Sequence, residues 1–226
     1  MAVFKRNLTS EIIEKAASKI ILSFDEAGEC LELGCGDFNI SRNLKKIFPK
    51  WSFSGSDISH EAISKAKKLN SSGEFDLRVG PLLEPWSGRK FKLIISDIAS
   101  ISSVVAGFSN WYDGVPCSTD EDGLGLIRKV ILNVSDYLTS DGVFLIPYIS
   151  LSDYEHEKNL LEEKFLNVVY VEETNWPIDS VIAEQLNDWE KENGRRFWNI
   201  GNMLGMYFAF TGVAIASNSN IFGEEK

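Results

Sequence analysis

Two neighbouring apolar segments each end in a short polar turn, and this pair constrains the fold more than any other feature of the chain. The first segment, residues 30–33, leads into a glycine-rich turn that ends at residue 36. The second, residues 51–56, is followed directly by an aspartate, Asp57. A helical pattern separates them, and strand–helix–strand units of this length form parallel sheets through right-handed crossovers. Both turns are therefore expected at one edge of a single sheet, where such folds bind ligands.

The same alternation of apolar segments and helical patterns continues along the chain. A first helix is expected at residues 9–22, and no crossover helix cleanly separates the last two apolar segments, so the final strand is expected to be antiparallel. The sequence predicts an α/β, Rossmann-like domain over residues 1–226, with a seven-stranded, mostly parallel sheet. Its strands are predicted at residues 30–33, 51–56, 75–79, 91–96, 142–149, 168–172 and 206–216.

Two longer segments interrupt this alternation. Residues 98–117 lack a periodic pattern, and residues 174–202 form a helical insertion between strands six and seven. Loops this long in compact domains are usually functional or mobile. We predict that the insertion and the loop 98–117 together form a lid and that Trp111, Trp176 and Trp198 contact a substrate. The alternatives are that the insertion packs permanently on the core or forms a dimer contact, and that these aromatic side chains never touch a substrate.

The net charge, the cysteine spacing and the apolar runs indicate which partners and which location to expect. The formal net charge is −10, which disfavours nucleic acid as a partner. The three cysteines are not spaced as a metal site or a disulfide framework, so we predict no metal and a cytoplasmic protein. No signal-peptide or membrane-spanning pattern occurs, since the apolar run 203–216 is too short. The oligomeric state is left open.

The glycine-rich turn indicates the kind of cofactor. Gly34 and Gly36 let the chain turn sharply and bring backbone N–H groups close to a ligand. A dinucleotide-binding turn would carry a third glycine where Asn39 stands, and Glu32 would repel a pyrophosphate. A carboxylate there suits the sulfonium and ammonium groups of S-adenosylmethionine instead. The alternative is an ordinary strand–helix turn.

The second turn completes the predicted nucleoside site. Asp57 can accept hydrogen bonds from ribose hydroxyls, or can cap the following helix instead. Ile58 can pack on the adenine face, or can belong to the core. Cys35 is expected to contact the cofactor as a small residue of the turn rather than to act as a nucleophile.

Several segments carry a resemblance to a known family. The chain is similar to class I S-adenosylmethionine-dependent methyltransferases, which implies that fold and that cofactor. Within this superfamily it resembles the glutamine N5-methyltransferases of peptide-chain release factors and their small-domain relatives. The resemblance covers about residues 5–150, and the matching segments are 32–36, 55–59, 79–85, 91–96 and 122–128.

Two departures from the family pattern affect the predicted site. Pro81 stands where the family usually has an acidic residue that holds the adenine amino group, so Gly80 or Leu82 is expected to hold adenine. The family motif Asn-Pro-Pro-Tyr, which grips a planar amide, is replaced by Ser96-Asp97-Ile98-Ala99.

The replaced motif also suggests the catalytic residues. Ser96 is predicted to contact the cofactor, and Asp97 is predicted to orient or deprotonate an amine, hydroxyl or acidic carbon. Tyr112 is the second catalytic candidate.

These observations predict an S-adenosylmethionine-dependent methyltransferase that transfers a methyl group in line to N, O or C of a small molecule. The loss of the amide-gripping motif favours a small-molecule acceptor. The subfamily resemblance favours the first alternative, a protein acceptor. The remaining alternatives are a nucleic-acid methyltransferase and a catalytically degenerate partner protein of the same fold.

Overall fold

Eight strands form one sheet in the computed structural model, which describes residues 7–70, 73–111 and 119–219. The strands are β1 (Glu29–Leu33), β2 (Ser52–Asp57), β3 (Asp76–Val79), β4 (Phe91–Ser96), β5 (Leu138–Ile149), β6 (Asn167–Ile178), β7 (Gly201–Met203) and β8 (Met206–Ser217). Their order is β3-β2-β1-β4-β5-β8-β6, and β7 pairs with β8 beside this path.

Helices cover both faces of the sheet. They are α1 (Leu8–Ser23), α2 (Asn39–Ile47), α3 (His60–Leu69), α4 (Ser103–Phe108), α5 (Gly125–Asn133), α6 (Tyr154–Lys164) and α7 (Ser180–Asn193). One core cluster joins α1, α2 and α3 to one face of the sheet, and a second joins α5 and α6 to the other. The central strands β1 and β4 are buried almost throughout, as expected for parallel strands covered on both faces.

The predicted α/β architecture is confirmed, including the antiparallel last strand. β8 lies between β5 and β6 and pairs antiparallel with both. The sheet also contains β7, a three-residue strand that the sequence did not predict because it is too short and too exposed to show a pattern. The first helix begins at Leu8, capped by the Asn7 side chain, whereas the sequence predicted its start at residue 9.

The predicted bounds of the insertion need a correction. Strand six was expected to end at residue 172, but β6 continues to Ile178 after an irregularity between Val171 and Thr174, where Glu172 has a φ of 56°. Residues 174–178 therefore belong to the sheet rather than to the insertion. Pro177 is tolerated in this strand because β6 is an edge strand.

A buried acid on α6 makes the stability of the protein depend on pH. Neither carboxyl oxygen of Glu157 has a hydrogen-bond partner in the part of the chain that the structure describes. Burial raises the pKa of Glu157 to about 8, although the charge of Lys158 lowers it. Since the folded pKa exceeds the unfolded value, stability is lost as the pH rises from about 4.5 towards 8.

We therefore expect Glu157→Gln to stabilise the protein at pH 8, by on the order of 3 kcal/mol, and to have little effect at pH 4.5. Thermal unfolding at the two pH values measures the difference. Glu163→Gln is the matched control, because Glu163 is exposed on the same helix. An equal response of the two variants to pH would contradict the prediction.

No helix in the described ranges is long and apolar enough to cross a membrane. Within the same ranges, no group of three or more His, Cys, Asp or Glu side chains is placed to hold a metal ion.

Candidate functional site

A pocket of about 680 Å³ lies at the edge of the sheet where the parallel strands end. This volume lies within the range of small-molecule and cofactor sites. The pocket spans both sides of β1, since its lining includes residues that follow β2 and β3 on one side and β4 on the other. The predicted site residues that line it are Glu32, Gly34, Cys35, Gly36, Asp57, Ile58, Leu82, Asp97, Trp111 and Trp176.

The glycine turn adopts a backbone that ordinary residues avoid. Gly34 and Gly36 have φ values of 67° and 51°, in the left-handed region. The Cys35 N–H donates to the carbonyl of Ser56, which ties the turn to the end of β2. Burial raises the pKa of the Cys35 thiol well above its ordinary value, so the thiol is a poor nucleophile. This agrees with the expected role of Cys35 as a turn residue.

Gly34 also sits where a side chain would collide with the neighbouring strand end. A Cβ atom there would lie 2.7 Å from Cγ2 of Ile98. We expect Gly34→Ala to lower the stability by about 1–3 kcal/mol, through left-handed strain and this collision, and to weaken cofactor binding. Chemical denaturation and calorimetry measure the two effects.

Gly73→Ala is the matched control for Gly34→Ala. Gly73 has nearly the same φ, 69°, but nothing lies within 4 Å of its added Cβ. It should therefore show the backbone strain alone and bind the cofactor normally. A Gly34→Ala variant that matches this control in both measurements would disprove the tight packing of the turn.

Asp57 joins the two turns. Its Oδ2 accepts the Gly36 N–H at 2.9 Å, and its Oδ1 accepts the Ser59 N–H at 2.8 Å. Helix α3 is capped by Ser59, whose Oγ accepts the Ala62 N–H, so Asp57 is not its cap. Because an ionised carboxylate has about four acceptor positions, Asp57 can still accept ribose hydroxyls from the pocket.

Glu32 is a buried carboxyl at the wall of the pocket. Its Oε2 accepts the Ser41 N–H at 3.0 Å, in the first turn of α2. The pKa of Glu32 is raised to about 8, mainly by burial and also by the charges of Asp97 and Asp37, although hydrogen bonds from Ser41 lower it. A cationic ligand group beside this carboxyl would favour its ionised form.

Asp97 follows β4 and carries a contact that the sequence did not predict. The Ser10 hydroxyl, on the first turn of α1, donates to Oδ2 of Asp97 at 2.6 Å. Burial raises the pKa of the Asp97 carboxyl, and the Ser10 hydrogen bond lowers it. The side chain therefore lines the pocket in a fixed position and can accept a proton.

The predicted aromatic site residues differ in whether they line the pocket. Trp111 and Trp176 both line the pocket and pack edge to face, with ring centroids 5.7 Å apart. Trp198 needs a correction, because it is buried against Trp189 in the cluster that joins α4 to α7 and does not line the pocket. Tyr112, the second catalytic candidate, lies outside the described residues.

Two predicted cofactor contacts lie beside the pocket rather than in its lining. Gly80 has a φ of 156°, and a Cβ there would lie 2.5 Å from Pro85, so its role is in the turn. Ser96 is fully buried in β4, with no hydrogen-bond partner for its hydroxyl in the described ranges. Leu82 does line the pocket, and the Ser56 hydroxyl holds its carbonyl at 3.0 Å.

Sequence reasoning missed the part of the wall that comes from distant elements. The start of α1, residues 7–10, lines the pocket, as do Leu126 and Lys129 of α5 and Ile149 at the end of β5. No local pattern marks these residues as site residues, because tertiary packing alone brings them to the end of β1.

The described residues fit S-adenosylmethionine. Gly34 and Gly36 form a left-handed turn that lines the pocket, and the Asp57 carboxylate lies at the adjacent strand end. Carboxylates outnumber cations in the lining, which suits a ligand that carries a sulfonium and an ammonium group. The acidic and basic lining residues are Glu32, Asp37, Asp57, Glu84, Asp97 and Lys129.

Comparison with known proteins identifies the family. A protein-family profile described as a methyltransferase domain matches residues 24–199. The chain belongs to this methyltransferase-domain family. It is 24% identical over 185 residues to the release factor glutamine methyltransferase of Thermodesulfovibrio yellowstonii, and the match covers 78% of this chain and 66% of that relative. Three further curated relatives are matched over 42%, 48% and 49% of their length.

Solved structures show the same fold. The YcgJ protein of Bacillus subtilis is 14% identical with a TM-score of 0.57, over 92% of this chain and 99% of that one. The N-methyltransferase NodS of Bradyrhizobium japonicum is 13% identical with a TM-score of 0.52, over 94% of this chain and 89% of that one. The NodS structure contains S-adenosyl-L-homocysteine.

The methyltransferase-domain family and the site geometry together confirm the predicted S-adenosylmethionine cofactor and the predicted class of enzyme. The match to the relative from Thermodesulfovibrio yellowstonii confirms the resemblance to the release-factor glutamine methyltransferases as a distant relationship.

Proposed function

We propose that this methyltransferase-domain protein transfers the methyl group of S-adenosylmethionine to an acceptor group of a polypeptide. The cofactor supplies a methyl group activated by its bond to a sulfonium. Glu32, Asp57 and the glycine turn hold the cofactor, and Asp97 receives the acceptor proton. Holding the reactants in line can contribute roughly 7–11 kcal/mol, and a general base typically contributes a further 10²–10⁴-fold, as order-of-magnitude values.

The observation that supports a polypeptide acceptor is an exposed apolar hairpin, formed by β7 and the start of β8. Trp176 of β6 lines the pocket and pairs with Ala209 of β8, and β8 begins three residues before Ala209, at Met206, in the hairpin with β7. The hairpin exposes Met203, Leu204 and Met206, with Leu204 94% exposed. Apolar side chains exposed together beside a site favour a macromolecular partner. The curated relative from Thermodesulfovibrio yellowstonii, named for a glutamine in a release factor, supports the same choice.

A small-molecule acceptor is the second candidate, and one observation favours it. Ser96-Asp97-Ile98-Ala99 occupies the place of the amide-gripping motif, and Asp97 offers a carboxyl where an amide side chain would be needed to bind glutamine. Under this second proposal, the protein acts in the cytoplasm, in small-molecule biosynthesis.

Transfer of a labelled methyl group separates the two candidates. The protein is incubated with methyl-labelled S-adenosylmethionine and an extract of its source cells, which is then divided by precipitation into proteins and small molecules. Label in specific proteins supports the polypeptide acceptor, and Leu204→Asp should then reduce the transfer without changing cofactor affinity. Label only among small molecules supports the second candidate.

We also propose that α7 and the connection to β7 act as a lid. Helix α7 packs on α4 through the cluster that contains Leu186 and Trp198, and α4 belongs to the same segment as the pocket residue Trp111. Hydrogen exchange should show protection gained across residues 179–200 only when the acceptor binds beside the cofactor product. Equal protection with and without acceptor would exclude a lid and leave α7 as a permanent cover.

A further inference from the structure

One oxygen of the Asp97 carboxyl is hydrogen-bonded to another residue of the protein, and the other oxygen is available to a ligand. Oδ2 accepts the Ser10 hydroxyl. In the part of the chain that the structure describes, Oδ1 has no hydrogen-bond partner, and the residue lines the pocket. Ser10 comes from α1, which lies before the segment matched by the family profile.

The charges around the pocket select against anionic acceptors. Of the described lining residues, five are carboxylic and only Lys129 is cationic. Glu32 and Asp57 are engaged by the cofactor in the function proposed above. Asp97 follows β4 directly, on the opposite side of β1 from Asp57, and its carboxyl is left for the acceptor.

An aromatic wall completes this side of the pocket. Trp111 and Trp176 meet edge to face, and Ile101 and Ile149 line the pocket with them. Indole faces attract cations, and the aliphatic side chains suit the apolar carbon that carries a cationic group. Neither property would help to bind a carboxylate or a phosphate.

We propose that the acceptor is an amine borne on an apolar carbon, bound through the free oxygen of Asp97 and the Trp111–Trp176 wall. This inference rests on the proposed methyltransferase function and names its acceptor class. In a polypeptide the group is a side-chain amine or an N-terminal amine, not a glutamine amide. Ser10 is a positioning residue, since it fixes Asp97 without contacting the acceptor.

The reaction balances with the residues present. The ammonium form of the acceptor gives one proton to the Asp97 carboxylate, and its nitrogen lone pair becomes free. That lone pair forms the N–C bond while the methyl–sulfur bond breaks and leaves its electron pair on sulfur. The product is a methylated ammonium and a neutral thioether, and the Asp97 proton passes to solvent.

Binding of three matched probes tests the recognition without catalysis. 2-Phenylethylamine, 2-phenylethanol and phenylacetate are titrated by calorimetry at pH 7 into protein saturated with S-adenosylhomocysteine. The amine should bind about tenfold more tightly than the alcohol, and phenylacetate should bind most weakly, because the ammonium brings a positive charge to the Asp97 carboxylate whereas phenylacetate brings a second negative charge.

Asp97→Asn should bind the amine and the alcohol about equally, because it removes the charge and keeps the shape. Asp141→Asn makes the same change of charge at the start of β5, near Lys92, and should keep the preference for the amine. Equal binding of the probes, no binding of any of them, or a preference unchanged in Asp97→Asn would each overturn the proposal.

The labelled product separates this inference from the function on which it rests. Label recovered as an N-methyl amine supports both. A methyl group on oxygen, carbon, sulfur or an amide nitrogen overturns the amine acceptor and leaves the methyltransferase function intact. Failure to bind S-adenosylhomocysteine and to transfer label overturns both.

Discussion

Replacing Asp57 by alanine should weaken the binding of S-adenosylmethionine by a factor on the order of 100 to 1,000. The carboxylate accepts the Gly36 and Ser59 N–H groups and lines the pocket. Its removal loses the proposed charge-assisted hydrogen bonds to the ribose hydroxyls, of about 1.5–3 kcal/mol each. It also leaves the Gly36 N–H without its acceptor, which loosens the glycine turn. Titration calorimetry with S-adenosylhomocysteine measures the loss.

Two comparisons make this prediction specific. Asp57→Asn keeps one acceptor oxygen and should lose less affinity than the alanine variant. Far-ultraviolet circular dichroism and thermal unfolding establish that each variant is folded before its affinity is compared. Near-normal affinity of a folded Asp57→Ala variant would refute the assignment of Asp57 as a cofactor residue.

Replacing Asp97 by asparagine should lower kcat by about 10²–10⁴-fold and leave cofactor affinity unchanged. The asparagine side chain keeps the shape and an acceptor for the Ser10 hydroxyl, but it cannot take a proton. Because burial raises the pKa of Asp97, the wild-type rate should rise with pH in a range above that of an ordinary aspartate. This rise should be absent from the pH profile of Asp97→Asn.

Ser10→Ala tests whether the α1 contact positions this carboxyl. The Ser10 hydrogen bond lowers the pKa of Asp97, so its loss should move the rise in rate to higher pH. A merely structural role for Ser10 would lower stability and leave the pH profile in place. Ser10→Thr keeps a hydroxyl and should restore the wild-type profile.

The sequence by itself determined the sheet and the cofactor side of the pocket. Apolar segments between helical patterns fix a parallel sheet, and the parallel strands then carry Gly34, Gly36 and Asp57 to one edge. These residues lie at the ends of their strands or within three residues of them, so secondary structure alone brings them together. Trp111 and Trp176 were also named from the sequence, although their edge-to-face contact could not be foreseen.

Only the tertiary structure decided the acceptor side. The Ser10–Asp97 hydrogen bond joins residues 87 positions apart, and it forms because α1 packs across β4, β5 and β8. Strand β6 extends to Ile178 because β8 supplies its hydrogen-bond partners, which no local pattern reveals. Trp198 packs against Trp189 for a similar reason, since the α4–α7 cluster offers a large aromatic side chain more burial than the pocket does. Local periodicity determines which elements form, whereas long-range packing determines which side chains meet.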